Sequence, residues 1–81
     1  MLTRTLARML AGDGITVNAI SPGFINSGSL PEHELLRMER HISAGHLGET
    51  QDAVSATRFL LSDEAGYIGG TNIHVSGAWG V

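Results

Sequence analysis

The sequence predicts an α/β fold, and three observations carry that expectation. First, a short and mostly apolar run, Ile15-Thr16-Val17-Asn18-Ala19-Ile20, stops at Ser21-Pro22-Gly23. Ile15, Val17 and Ala19 alternate onto one face and Ile20 adds an apolar residue to the other. That pattern suits a strand covered on both sides, as in a parallel sheet. Second, residues 51–62 carry the apolar spacing of an amphipathic helix. Third, Thr71 to Val75 reads as another strand. The right-handed crossover rule permits such a strand–helix–strand unit.

Each element has its own justification. Residues 1–11 read as a helix, with Leu2, Leu6, Met9 and Leu10 at helical spacing and Arg4 and Arg8 on another face. Gly12 and Gly14 supply its stop, since either can take the left-handed carboxyl-cap conformation. The strand at 15–20 must end before or at Pro22, which has no N–H to give to a ladder. Asn18 is polar within it, and its amide is expected to satisfy neighbouring backbone groups. Residues 21–31 form a loop. Residues 31–42 read as a short helix whose Glu32 and Glu34 favour its positive amino end; Ser29 with Glu32 fits a capping box. Leu35, Leu36, Met38 and Ile42 give this helix a broad apolar side, suited to binding a partner. After a Gly-containing link at 43–50, Thr50 is placed to cap the helix at 51–62. Ala53, Val54, Ala56, Phe59, Leu60 and Leu61 form its apolar stripe, and the small Ala53 and Ala56 suit close packing on a sheet. Ser76 to Val81 is a Gly-rich tail that needs anchoring.

The site candidate is the Pro22-Gly23 loop. In open α/β sheets ligands bind at the carboxyl ends of strands, and Gly23 lets the backbone turn or come close to a ligand. A plain strand-terminating turn accounts for the same two residues.

Two stretches carry a family resemblance. Ile15-Thr16-Val17-Asn18-Ala19-Ile20-Ser21-Pro22-Gly23-Phe24-Ile25 resembles the sixth strand and following Pro-Gly motif of the short-chain dehydrogenase/reductase family, closest to its 3-oxoacyl-[acyl-carrier-protein] reductase-like members. Phe59-Leu60-Leu61-Ser62-Asp63-Glu64-Ala65, Tyr67-Ile68-Gly69-Gly70 and Ile73-His74-Val75-Ser76-Gly77-Ala78-Trp79 resemble its last helix, turn and strand, in the same order and spacing. The resemblance implies that residues 1–81 are the carboxyl-terminal third of a Rossmann-like, doubly wound parallel sheet, an incomplete domain contributing two strands and about three helices. It further implies NAD or NADP as the cofactor of the parent enzyme and a carbonyl or alcohol as its substrate. Pro22, Gly23 and Ile25 would sit beside the nicotinamide. Ser27 stands where many relatives carry a Thr that meets the cofactor, and it keeps the hydroxyl. His46 and Thr50 depart from the Arg and Pro usual in relatives, so any ion pair made by that Arg is in doubt.

The catalytic residues of that family are another matter. Its reductases use a Tyr and a Lys at Y-x-x-x-K, the Tyr donating a proton and the Lys lowering its pKa and holding the ribose. The one tyrosine here is Tyr67, four residues before Thr71, and the chain contains no lysine. In the family the pair would lie upstream of Met1. The phosphate-binding fingerprint is absent too: Gly12-Asp13-Gly14 leads into a strand, and Gly77-Ala78-Trp79-Gly80 opens no helix. The chain alone is therefore expected to hold no catalytic residue and to bind no cofactor tightly. The alternative reading is a truncated, non-catalytic, self-associating module.

Composition narrows the rest. Eighty-one residues make one small domain at most, with a marginal core. A net charge of -3 favours neither nucleic acid nor an anionic membrane. With no cysteine there is no disulfide, thiol nucleophile or thiolate metal site, and the cytoplasm is the expected compartment. No run approaches a membrane span. His33, His41, His46 and His74 show no metal-binding spacing, so no metal is expected. No Ser sits in a strand-to-helix elbow of the hydrolase kind. Two parallel strands bury too little for independent stability, and the strand at 15–20 would leave an open edge. A homo-oligomer is the expectation, with Trp79 buried against another subunit as the resemblance implies.

Overall fold

A computed structural model of the chain describes residues 2–81. Its elements follow the order α1 (Leu2–Leu10), a 3-10 turn (Ala11–Asp13), β1 (Ala19–Pro22), β2 (Ile25–Asn26), α2 (Glu32–Glu39), β3 (Gly48–Glu49), α3 (Thr50–Leu61), a second 3-10 turn (Asp63–Ala65) and β4 (Asn72–Val75). The α/β class holds. β1 and β4 pair in parallel, with Ala19 opposite Asn72 and Pro22 opposite Val75.

The first helix stops where the sequence places its stop, because Gly14 takes φ 75° and its N–H bonds the Ala11 carbonyl at 3.1 Å. Continuous pairing of the first strand begins at Ala19 rather than Ile15. Before it, the Val17 carbonyl accepts from Gly70 N–H at 2.8 Å. Ile15, 48% exposed, lies ahead of the ladder. Asn18 does what its position in an apolar strand demands. Its Nδ2 donates to the Ile68 carbonyl at 3.1 Å, and its Oδ1 accepts from Thr71 N–H at 3.0 Å. One amide thus ties the start of β1 to the turn that delivers β4.

Two strands are expected from the sequence and four are present among the described residues. β2 and β3 make a second, two-residue parallel ladder, Ile25 opposite Gly48 and Asn26 opposite Glu49. Two caps also differ. Glu49, not Thr50, caps α3: its side chain accepts from the helix backbone while Asp52 Oδ2 accepts from Glu49 N–H at 2.7 Å. A carboxylate at that end also meets the helix dipole, which a Thr hydroxyl does not. The Ser29–Glu32 box does not form. Pro31 occupies the cap position of α2 with no side-chain bond, and the Ser29 hydroxyl pairs with that of Ser27 at 2.8 Å.

Along α3, Ala53, Ala56 and Leu60 are half-buried at helical spacing, the face nearest the sheet. Val54, Phe59 and Leu61 stay 44%, 43% and 81% exposed, so only part of the expected stripe is covered. α1 behaves similarly: Ala7 is buried and faces Gly70, while Leu2 and Met9 are exposed. Among the described residues the buried apolar ones are Ala7, Ile42, Leu47 and Ala65. The radius of gyration is 15.3 Å, against about 12 Å for a compact domain of this length. The exposed surface is 5973 Å², about 1,300 Å² more than a compact monomer of this mass shows.

Candidate functional site

The Pro22-Gly23 turn leaves the carboxyl end of the parallel pair. Gly23 N–H still donates to the Val75 carbonyl at 3.0 Å, so the turn stays tied to the end of β4. Gly23 is needed there for space rather than for torsion. Its φ is not positive, but a Cβ would stand 2.8 Å from Ser76 Cβ and 3.0 Å from Ser76 Cα. Beyond it, the Phe24 carbonyl accepts from Gly48 N–H at 3.0 Å. In a parallel ladder successive residues of a strand face opposite edges. With Phe24 committed to β3, the N–H and C=O of Ile25 face away from it. Ser27 is exposed, and Asn26 Oδ1 accepts from Gly28 N–H at 3.0 Å, which sets Gly28 at φ 86°.

Two further segments build up around this loop. The tail turns back on itself at Gly77 and Ala78, both at positive φ (60° and 66°), and Trp79 N–H closes the turn on the Ser76 carbonyl at 3.1 Å. Positive φ at both central residues is the pattern of a type I′ turn. The link after α2 holds the tail from the other side: Ala44 N–H donates to the Gly77 carbonyl at 2.9 Å and Ser43 Oγ to the Ala78 carbonyl at 3.3 Å. The result places the Trp79 indole on the Phe24 ring, centroids 4.6 Å apart at 49°. The sequence marks Trp79 as needing a dock; the dock found within the chain is Phe24, and 41% of Trp79 remains exposed.

The structure thus brings Pro22, Gly23 and Ile25 together at the carboxyl end of β1, with Ser27 at the outer end of the same loop. Ser76, Phe24 and Trp79 join them. Sequence reasoning missed those contacts, although the unanchored tail and its lone tryptophan were the signal for them. A nicotinamide carboxamide offers a carbonyl acceptor and an NH2 donor group, and the outward N–H and C=O of Ile25 are complementary to these two groups. The phosphate end finds no match among the described residues. Gly12 lies inside a 3-10 turn and Gly14 caps its end, so neither opens a helix onto a ligand, and no lysine is present. Among the described residues no group of His, Asp or Glu could hold a metal ion. No helix there is long and apolar enough to cross a membrane.

Comparison with known proteins gives the family of the chain. Residues 1–79 match the family model described as enoyl-(acyl carrier protein) reductase. The 3-oxoacyl-[acyl-carrier-protein] reductase of Haemophilus influenzae is 42% identical over 78 residues, 93% of this chain and 32% of the relative. That of Staphylococcus epidermidis is 46% identical over 79 residues, 94% of this chain and 32% of the relative. The Escherichia coli protein of the same description is 41% identical over 78 residues, with 93% and 32% covered. The chain spans about a third of the length of these relatives.

Proposed function

Because the chain belongs to the short-chain dehydrogenase/reductase family, we propose that it is the carboxyl-terminal portion of an NAD- or NADP-dependent oxidoreductase. Its substrate would be a carbonyl or alcohol of the 3-oxoacyl class, and its sheet the last part of a Rossmann-like domain. The observation that carries this reading is the Pro22–Ser27 loop. It leaves the carboxyl end of a parallel strand and presents the N–H and C=O of Ile25 away from the β2–β3 ladder. When bound, the nicotinamide supplies or accepts the hydride. This chain's residues orient it. Pro22 ends the strand, Gly23 fits the backbone against Ser76, Ile25 meets the carboxamide, and the Ser27 hydroxyl is within the same loop to donate or accept.

The proton-donating Tyr and its Lys are not among these 81 residues, so this portion aligns the cofactor and leaves proton transfer to the rest of the enzyme. The chain alone is inactive on this reading. The reading also takes a cytoplasmic enzyme that self-associates. The exposed Val54, Phe59 and Leu61 on α3 support an interface.

The coding sequence preceding the Met1 codon tests the proposal. An in-frame Tyr-x-x-x-Lys ahead of α1 and a glycine-rich strand-to-helix turn further upstream are expected. A stop codon directly upstream would contradict the catalytic reading.

A further inference from the structure

We infer that Trp79 is a positioning residue for the Pro22–Ser27 loop, and that the tail from Ser76 to Gly80 clamps this loop in place for the nicotinamide. The inference rests on the cofactor-side reading above and adds a part to it.

Four contacts point the same way. Ser76 stands so close to Gly23 that no Cβ fits between them. The Trp79 indole covers the ring of Phe24, the residue between Gly23 and Ile25. The Phe24 carbonyl is itself the acceptor for Gly48 N–H. The tail is in turn held by the link, through Ala44 N–H and Ser43 Oγ. The tilted ring contact on Phe24 therefore fixes both the side chain and the peptide whose orientation decides where Ile25 N–H and C=O point. The turn that makes this possible is strained. Ala78 is the one non-glycine at positive φ among the described residues, in a conformation L-residues disfavour. Strain of that kind persists only where surrounding contacts enforce it, and here they are the Ser43, Ala44 and Phe24 contacts.

A merely structural tryptophan and a loop clamp make different predictions. Amide hydrogen exchange by NMR on the full chain separates them, comparing the unaltered protein with Trp79→Ala and Trp79→Phe. The clamp predicts that Trp79→Ala speeds exchange of the Gly48 amide by about tenfold. The Ala19 amide, held by the Thr71 carbonyl in the β1–β4 ladder, keeps its rate. Trp79→Phe, which retains a ring for Phe24, restores the slow exchange. Equal acceleration at Gly48 and Ala19, or no change at Gly48, overturns the clamp.

A second titration, with nicotinamide mononucleotide at millimolar concentration, reads the positioning role. Shift changes at Gly23, Ile25 and Ser27 are expected, with apparent affinity falling several-fold in Trp79→Ala and recovering in Trp79→Phe. No shifts in the unaltered chain, with the exchange pattern intact, would overturn the cofactor-side reading and the positioning role together while leaving the tail as a holder of the loop. Shifts that are identical in all three proteins would overturn the positioning role alone.

Discussion

Gly23→Ala isolates one contact on which the loop depends. The backbone torsion at Gly23 is open to any residue, so alanine carries no left-handed penalty. Taken alone, replacing glycine by alanine at a compatible position stabilises by about 0.4–1 kcal/mol through the unfolded chain. Against that stands the new methyl, 2.8 Å from Ser76 Cβ and 3.0 Å from Ser76 Cα. Carbon atoms in good contact lie about 3.5–4.0 Å apart, so β1 and the tail must separate by the better part of an ångström. Overpacking of this kind costs about 1–3 kcal/mol, and the obstruction includes backbone, which no rotamer change can clear. The net expectation is a loss of about 1–2 kcal/mol. Trp79 is the single tryptophan and reports unfolding by its fluorescence. A urea titration at fixed protein concentration should show a lower midpoint with an unchanged slope. Gly12→Ala serves as the control, because a Cβ there would meet nothing within 4 Å and the φ of Gly12 is not positive. It should be neutral or slightly stabilising. Adding Ser76→Gly to Gly23→Ala should recover part of the loss, since the clash with the Ser76 backbone remains. A Gly23→Ala protein as stable as the unaltered chain would refute the claim that Ser76 closes on the loop.

Three further outcomes concern other parts of the fold. Asn18→Ala strands the Ile68 carbonyl and the Thr71 N–H in a half-buried place, and should cost about 2 kcal/mol in the same urea assay. Asp52→Ala breaks the reciprocal cap with Glu49; a loss of about 1 kcal/mol is expected, and Thr50→Ala should cost less because Thr50 is not the cap. Calorimetry of this chain with NADH or NADPH should show no micromolar binding, given the missing lysine and phosphate cradle; a micromolar Kd would contradict the division of labour proposed for the parent enzyme.

How much of this is legible in the sequence depends on the range of each interaction. The Gly14 cap, the end of β1 at Pro22 and the main body of α3 are decided within a few residues, and the structure agrees with them. Asn18 is legible as a backbone satisfier because a polar side chain in an apolar strand must find partners, although nothing local names Ile68 and Thr71 as those partners. The β2–β3 ladder is not legible, since two residues carry no period. Neither is the choice between Thr50 and Glu49 as cap, where two capable side chains are neighbours. On α3 the spacing marks a wide stripe, yet coverage depends on what packs there, and Val54 and Leu61 stay open. For the site, Pro22, Gly23, Ile25 and Ser27 come from the motif and share one loop in the structure. Phe24 with Trp79 is a contact between distant parts of the chain, and no local pattern encodes it.

The central claim is that residues 22–27 orient a nicotinamide for a short-chain reductase. It is tested most directly by a chimera in which this chain replaces the matching carboxyl-terminal third of the Haemophilus influenzae reductase. The host supplies the upstream portion, and absorbance at 340 nm follows NADPH oxidation with a 3-oxoacyl thioester. The account predicts thioester-dependent oxidation that falls when Gly23→Ala displaces the loop. A chimera that folds cooperatively and binds NADPH, yet shows no thioester-dependent oxidation, would contradict it.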